Sequence, residues 1–381
     1  MCGAWHNVFR QTGKIVRQCM PQPYPGPEIR GDAMNNTKLA TCIKNAALDC
    51  GYTHCGMIRV EEMAGYADAI DARITRFPDS EPMYSRLRAL ALPAQAAPWA
   101  KSVIICARWY GKYRIPEGLQ GKIGKSFCVD TRRDRRSQEF QDTQRFEGIL
   151  TGLGITHAVA HDFGITAVRW AAVKAGIGIV RKNNFFYAEH GSWYRLEAFL
   201  IDREVELKNT HSLQRCPEKC GLCMKACPTT ALSEPFQMNG PVCVSFLTSR
   251  ETCMPGKKHY DKCGSWIFGC DACQDACPFN RKQWTGAEDF PGLEELAGFL
   301  SYERILSLEY ETLYSLLPEK FWYIQPDDVW KWKCNVLNAM HNTFESGYLP
   351  YIEGAMRDSR EEVREMAEWV LESVRRDGRF L

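Results

Sequence analysis

The chain has 381 residues, 45% of them hydrophobic, with a formal net charge of +2. A chain of this length can bury a large core and is expected to fold into two or three domains. No apolar run approaches the ~20 residues that span a bilayer, and residues 1–34 lack the apolar stretch of a signal peptide. These properties predict a cytoplasmic protein with no membrane partner, as a monomer or weak oligomer.

Charge is distributed unevenly along the chain. Residues 291–381 carry 10 basic and 17 acidic side chains, which leaves a net charge of +9 on residues 1–290. The C-terminal quarter is therefore a poor candidate for binding nucleic acid, because that binding depends on contacts from Lys and Arg to phosphates.

The first half of the chain predicts a mixed domain of helices and strands over residues 36–205, after a polar, proline-rich arm over residues 1–35. Helical spacing begins at Thr37, and a short β-branched run predicts a buried strand over residues 101–110. The further predicted elements are a helix over 137–152, a strand over 156–161, a helix over 166–175 ended by Gly176, and one or two strands over 192–205.

The segment over residues 206–290 is predicted to be a ferredoxin-like domain that holds two [4Fe–4S] clusters. Two runs of cysteines end in Cys-Pro and flank a single cysteine, a spacing typical of two-cluster ferredoxins, in which the cysteine before each proline binds the other cluster. That rule assigns Cys216, Cys220, Cys223 and Cys277 to the first cluster, and Cys227, Cys243, Cys270 and Cys273 to the second.

One spacing is irregular, and two other uses of these cysteines remain open. Three residues separate Cys216 from Cys220 where the bacterial ferredoxin pattern has two, so Cys216 is the least secure ligand. Zinc is an alternative, although zinc sites have no need of the doubled Cys-x3-Cys-Pro. Disulfides are another, although they suit short secreted chains.

Residues 291–381 are predicted to be helical, with breaks at Pro318, Pro326 and Gly347. Ser359 and Glu362 have the spacing of a capping box at the start of the last helix. The segment over residues 348–356 is predicted to pair with that helix. Such a pair indicates either a HEAT-like repeat or a plain helical subdomain.

Several motifs together resemble the epoxyqueuosine reductase family. They are Asp162 with Arg169 seven residues later, the run from Ala175 to Asn183, Gly191-Ser192-Trp193, the run from Cys243 to Thr248, and the motifs around Cys270 and Cys277. The resemblance covers roughly residues 98–345. It implies an α+β protein composed of a nitroreductase-like α/β domain that binds cobalamin, a ferredoxin-like domain and a HEAT-like C-terminal region.

The same resemblance implies a cobalamin-dependent iron–sulfur reductase that converts epoxyqueuosine to queuosine in tRNA, with electrons passing from the clusters to cobalt. An external low-potential electron donor would supply the clusters. Asp162 would donate the proton to the departing oxygen, and burial beside an apolar corrin would keep it protonated. The expected cobalamin contacts are Tyr110, Arg169, Gly176, Lys182, Asn183, Gly191, Ser192 and Trp193.

The chain also departs from the family in regions that concern the substrate. No Asp-Tyr-His follows Gly121-Lys122-Ile123, and Arg181 stands where the family has a glycine. The best basic patch is the run over residues 132–136. A tRNA substrate is therefore only one expectation. The alternatives are a dehalogenase-like reductase with another substrate, an electron-transfer protein that reduces a partner corrinoid protein, and a cluster-stabilised module that binds nucleic acid.

Overall fold

The computed structural model describes residues 35–251 and 259–379. Of the arm predicted over residues 1–35, all but the last residue lies outside the described residues. Within the described ranges, no helix combines the length and apolar character needed to cross a bilayer.

A four-stranded antiparallel sheet forms the centre of the N-terminal half. From one edge to the other, its strands are His54–Arg59, Ser102–Trp109, Tyr194–Ile201 and His157–Val159. The register pairs Ile105 with Ala198 in the middle of the sheet. Ser102–Trp109 has a neighbour on both sides and is buried along most of its length, as expected for a β-branched run.

Side chains of the central strand alternate between two hydrophobic cores, one on each face of the sheet. Ile104 and Cys106 point to a core formed with the helices Asn36–Asp49 and Gln138–Gly152. Val103, Ile105 and Ala107 point to the other core, which is formed with the helix Val168–Lys174. The period of two in a strand produces this division, and it covers the sheet on both faces.

The predicted helices and strands of this half are present, with shorter bounds in several cases. The segment predicted as one or two strands over 192–205 is a single strand, and the strand predicted over 156–161 has three residues. Gly176 ends its helix with φ of +68°, as expected for a left-handed cap. The edge strand His54–Arg59 was not predicted, because a short run containing Gly56 has no alternating pattern.

Short helices connect the sheet to the rest of the molecule. Between the first two strands of the sheet lie the helices Tyr66–Arg76, Glu81–Tyr84 and Pro93–Ala96. The cluster segment contains Leu222–Lys225, Val244–Ser249 and Ala272–Asp275. Two minor sheets pair Ile179–Val180 with Phe186–Tyr187, and Tyr113–Arg114 with Glu288–Asp289.

The C-terminal region is helical, as predicted, and one helix lies at its centre. Its helices are Leu293–Ala297, Tyr302–Ser307, Tyr310–Leu316, Trp330–Asn342, Leu349–Ala355 and Glu361–Arg376. Trp330–Asn342 is buried on nearly all sides. Its Trp332 stacks on Phe268 of the cluster segment, with ring centroids 5.0 Å apart, and Asn335 donates to the carbonyls of Thr248 and Ile267. The helical region therefore packs directly against the cluster segment.

The predicted capping box at the last helix is wrong. The helix begins at Glu361, and the N-cap position belongs to Arg360. Glu362 bonds the guanidinium of Arg360, while Asp358 accepts from the backbone N–H of Arg360. An aspartate two residues before the cap thus satisfies the backbone N–H of the cap residue, an arrangement that a pattern based on Ser/Thr at the cap cannot detect.

Asp358 also forms a buried ion pair whose loss is expected to destabilise the helical region. Its carboxylate lies 2.9 Å from Lys333 Nζ, and both side chains are less than a tenth exposed. We expect Lys333→Met to lower the free energy of unfolding by about 3 to 5 kcal/mol, because it leaves a buried carboxylate without its cation. Lys331→Met, on the same helix, removes a more exposed pair with Asp328 and should cost less than about 1 kcal/mol. Chemical denaturation followed by circular dichroism measures both; equal losses would contradict the assignment.

Candidate functional site

The structure brings the eight cysteines of the cluster segment together as two sets of four. Leu222–Lys225 and Ala272–Asp275 pack against each other, and a Cys-Pro follows each helix. One cavity is lined by Cys216, Cys220, Cys223 and Cys277. This set contains the distant cysteine that the crossing rule assigns to the first cluster.

The second set consists of Cys227, Cys243, Cys270 and Cys273, and the electrostatic interactions among their thiols identify it. Burial raises the pKa of Cys273 well above its usual value, and Cys243, Cys270 and Cys227 raise it further. Burial raises the pKa of Cys270 as well, with contributions from Cys243 and Cys227. Four thiols this close cannot all ionise unless a cationic centre sits among them, and the iron atoms of a cluster provide such a centre.

The spacing of these side chains fits a cluster better than a single ion or a disulfide. Among residues 35–251 and 259–379, no three His, Cys, Asp or Glu side chains converge closely enough to hold one metal ion. All eight cysteines are free thiols. Cys216, whose spacing is irregular, lines the first cavity together with the other three ligands proposed for it.

Lys182 clamps the loop that carries the first two cysteines. Its Nζ donates to the carbonyls of Pro217, Glu218 and Cys220 at 2.6 to 2.9 Å. Three carbonyls converging on one buried ammonium fix the loop, because each gains a charge-assisted hydrogen bond. The neighbouring Asn183 donates to the carbonyl of Cys273 and to the Tyr187 hydroxyl.

Asn280 clamps the other end of the cluster segment. Its side-chain amide donates to Ser192 Oγ and to the carbonyl of Gln274, both at 2.8 Å, and its oxygen accepts from the Ser192 backbone N–H. Gly191 is required here, since a Cβ at this position would lie 2.4 Å from Asn280 Oδ1. The Gly-Ser-Trp and Cys-Pro-Phe-Asn motifs are therefore two sides of one contact.

Most of the side chains expected to contact cobalamin also make contacts within the protein, and their contact with cobalamin stays a prediction. The side chains of Lys182, Asn183 and Ser192 are occupied by the cluster segment. Tyr110 and Trp193 are buried against Trp284. A Cβ at Gly176 would lie 2.0 Å from the carbonyl of Asn209, so protein rather than ligand approaches it closely. Seven of the eight residues thus pack against other parts of the protein: Tyr110, Gly176, Lys182, Asn183, Gly191, Ser192 and Trp193. Of the eight, only Arg169 has an exposed side chain.

Arg181 lies at the first cavity, where the family pattern has glycine. Its side chain is buried, its Nη1 lies 3.8 Å from Cys216 Sγ, and its guanidinium stacks 3.4 Å from the ring centroid of Phe279. A buried cation next to a ligand sulfur stabilises added negative charge, so it favours the reduced cluster.

We expect Arg181→Met to lower the midpoint potential of the first cluster, because the substitution removes this positive charge while keeping an apolar stem on Phe279. A redox titration followed by electron paramagnetic resonance measures the shift. Lys174→Met, on an exposed position of a neighbouring helix, is the matched control and should leave both potentials in place. An unchanged or higher potential in Arg181→Met would refute this role of the guanidinium.

Asp162 is placed on the surface rather than against an apolar wall. Its side chain is 39% exposed and forms a two-pronged ion pair with Arg133, with the shorter contact at 2.7 Å. Arg132 donates to the Asp162 carbonyl. The burial expected for Asp162 is therefore absent in this structure.

The basic run over residues 132–136 is largely neutralised by nearby acids. Arg132 and Arg195 both bond the buried Asp130; although burial alone raises the pKa of that carboxyl, the two guanidinium groups hold it well below its usual range. Arg133 pairs with Asp162, and Arg136 pairs with an aspartate two residues earlier. The run is therefore a weaker electrostatic patch than its composition predicts.

A polar cavity adjoins Arg132, and it was not predicted from the sequence. It is lined by Arg108, Thr131, Arg132, Glu139, Phe140, Thr143, His161, Arg195 and Glu197. His161 lies 3.2 Å from Glu147 and 4.0 Å from Glu197. Burial by itself lowers the pKa of His161, but the hydrogen bonds that it donates to the two carboxylates raise it to about 10. No local sequence pattern indicates this cluster, because its members come from distant segments.

The charged state of His161 predicts a pH-dependent contribution to stability. Its folded pKa of about 10 exceeds the ordinary value of 6.5, so the contribution is fully present below pH 6.5 and is lost as the pH rises toward 10. We expect the difference in unfolding free energy between the wild type and His161→Gln to shrink over this range, as measured by denaturant titration at several pH values. Glu147→Gln should abolish most of the same dependence; a difference that does not vary with pH would count against the imidazolium.

Comparisons with known proteins agree with this architecture. Residues 215–280 match the family described as a 4Fe-4S double cluster binding domain. The chain is 36% identical over 129 residues to an epoxyqueuosine reductase of Staphylococcus aureus, and 26% identical over 248 residues to that of Cellulophaga algicola. The first alignment covers 34% of this chain and 33% of the relative, and the second covers 64% and 80%. The higher-identity alignment thus spans about a third of the relative's length.

Solved structures extend the likeness over most of the chain. A crystal structure of an epoxyqueuosine reductase with an epoxyqueuosine-modified tRNA stem loop superposes with a TM-score of 0.74 at 22% identity, covering 89% of this chain and 91% of that one. The enzyme from Streptococcus thermophilus superposes with a TM-score of 0.71. The chain is therefore an α+β iron–sulfur protein with a double cluster segment. Its fold is that of the epoxyqueuosine reductases, and the resemblance predicted from the motifs is confirmed.

Proposed function

We propose that the chain is an iron–sulfur reductase of the epoxyqueuosine reductase kind, acting in the cytoplasm, where thiols stay reduced. The observation that carries the proposal is the arrangement of the eight cysteines in two crossed sets, clamped by Lys182 and Asn280 onto the α/β half. Shared cysteine runs hold the two clusters side by side. Electrons can therefore pass singly from an external low-potential donor through both clusters toward the α/β half.

We also propose the finer architecture implied by the resemblance. The sheet covered by helices on both faces supports a nitroreductase-like domain over residues 36–205. The cluster segment then extends over 206–290, and the helical region over 291–381. Contact of Leu349–Ala355 with Glu361–Arg376 supports a HEAT-like pair at the C-terminus. One core joins residues 110–129, 267–268 and 290–374, so these parts would act as one body.

Cobalamin is the cofactor that the resemblance implies, and the residues near Arg169 fit it. Arg169 is exposed, and it bonds Asn184, near which Arg73 Nε and Asn184 Nδ2 are buried donors without a partner. Such donors suit the amide and phosphate groups at the periphery of a corrinoid. When bound, cobalamin supplies a cobalt centre that accepts single electrons and reacts with the substrate. This chain's residues would orient it and deliver electrons from the clusters.

The substrate side is proposed at Asp162, where exposed aromatic and cationic groups meet. Phe163 is 51% exposed, and its ring lies against Trp322 and Tyr323. The guanidinium of Arg250 lies 4.9 Å from the Phe163 ring centroid and 4.1 Å from that of Tyr323. Aromatic faces beside guanidinium groups are the platform on which an unpaired nucleobase stacks. This supports a modified base in tRNA as the substrate and Asp162 as its proton donor.

The test begins with anaerobic protein reconstituted with iron, sulfide and cobalamin, and it uses the visible spectrum. We expect cluster absorption together with corrin bands, and removal of the epoxide oxygen from a stem loop carrying epoxyqueuosine once a low-potential reductant is added. Cluster absorption without corrin bands would instead indicate an electron carrier. Corrin binding with no reaction on the stem loop would indicate a different substrate, such as an organohalide.

Asp162→Asn tests the proton donor. We expect turnover to fall by roughly 10²- to 10⁴-fold, the usual contribution of a general acid, while cobalamin binding is retained. Asp289→Asn, at a highly exposed aspartate, is the control and should leave turnover unchanged. Undiminished turnover in Asp162→Asn would remove this residue from the proposed chemistry.

A further inference from the structure

Two arginines from different helices converge on one asparagine, Asn184. Arg73 lies in Tyr66–Arg76, and its Nη2 donates to Asn184 Oδ1 at 3.1 Å. Arg169 lies in Val168–Lys174, and its Nη1 donates to the Asn184 carbonyl. Asn184 has a left-handed backbone, with φ of +65°, which presents both of its acceptor groups to the two guanidiniums.

No acid neutralises this pair within the described part of the chain. The nearest acids in sequence and space have other partners: Asp71 pairs with Arg88, and Glu234 pairs with Arg76. Arg73 makes its remaining contacts with the Phe236 carbonyl and the face of Tyr84. Two guanidinium groups therefore repel each other with only neutral acceptors nearby.

The surroundings make the arrangement costly without a ligand. Burial lowers the pKa of Arg169, and repulsion from Arg73 lowers it further, although the side chain is still exposed to solvent. Arg73 Nε and Asn184 Nδ2 are buried donors that lack an acceptor, and a buried donor without an acceptor destabilises the protein. The unmet groups of these two side chains are both donors, so their missing partner is an acceptor, and the two guanidinium groups favour one with negative charge.

We infer that Arg73, Arg169 and Asn184 bind a phosphate group. Phosphate suits this site because it offers several oxygens to forked guanidinium donors. The inference rests on the proposed function for the source of the phosphate. The phosphodiester of the nucleotide tail is the anionic group of cobalamin, whose other peripheral groups are neutral amides. A free phosphate or a nucleotide offers the same chemistry.

Binding of two corrinoids to the anaerobic, cluster-loaded protein separates these possibilities, with visible absorption as the readout. Cobalamin carries the phosphodiester, and cobinamide has the same ring without it. We expect Arg169→Met and Arg73→Met each to weaken cobalamin binding roughly 10- to 100-fold, as for loss of a charge-assisted hydrogen bond, and to leave cobinamide binding unchanged. Arg76→Met, on the same helix as Arg73 but paired with Glu234, should alter neither.

The possible results distinguish failure of the phosphate site from failure of the proposed function. Equal effects on both corrinoids, or none on cobalamin, would overturn the phosphate assignment while corrinoid binding still supports the proposed function. If the wild type binds neither corrinoid, the proposed function fails. Whether the three residues bind phosphate is then tested by measuring the thermal stability of the protein with and without inorganic phosphate. Stabilisation of the wild type but not of Arg169→Met would uphold a site for free phosphate. Equal or absent stabilisation would overturn it. Arg169→Lys, which keeps the charge, controls for variants that fail to fold.

Discussion

The contact between the cluster segment and residues 181–193 is the constraint on which the rest of the molecule depends. Lys182 holds the loop around the first thiols, and Asn280 holds the loop after the last one. Each cysteine run supplies a ligand to the other proposed cluster, so neither site can form alone. Contacts at both ends of the cluster segment therefore hold the two proposed redox centres against residues 181–193.

The charged side chains near the clusters and those near the proposed substrate site differ in whether they are paired with acids. At the first cavity, Arg181 is buried without a carboxylate among the residues described, so its field acts on the ligand sulfurs at close range. Around Asp162, each guanidinium of Arg132 and Arg133 has an acidic partner. The charge of Arg181 changes the reduction potential of the first cluster. The paired charges around Asp162 instead form a rigid surface with a weak net electrostatic field. Recognition there would depend on stacking and shape more than on long-range attraction.

The sequence was informative where chemistry imposes a fixed spacing, and it was silent where distant segments meet. Cysteine spacing predicted both sets of thiols, and β-branched runs predicted the central strand. Motif matching also led to Lys182, Asn183, Gly191 and Ser192 but did not predict their contacts with the cluster segment, because a spacing shows that a residue is constrained without showing what constrains it. His161 with Glu147 and Glu197, and Arg73 with Arg169, come together only through the tertiary fold. No local pattern carries such pairs.

The stacking of Trp332 on Phe268 links the integrity of the inorganic cores to the helical region. Phe268 lies two residues before Cys270, so the tryptophan at the heart of the C-terminal helices rests on the backbone that leads into the second cluster. Oxidative loss of this cluster would make the loop before Cys270 more mobile and expose the aromatic core around it. We expect aerated protein to become a better protease substrate, so that oxidative damage would itself mark the molecule for removal.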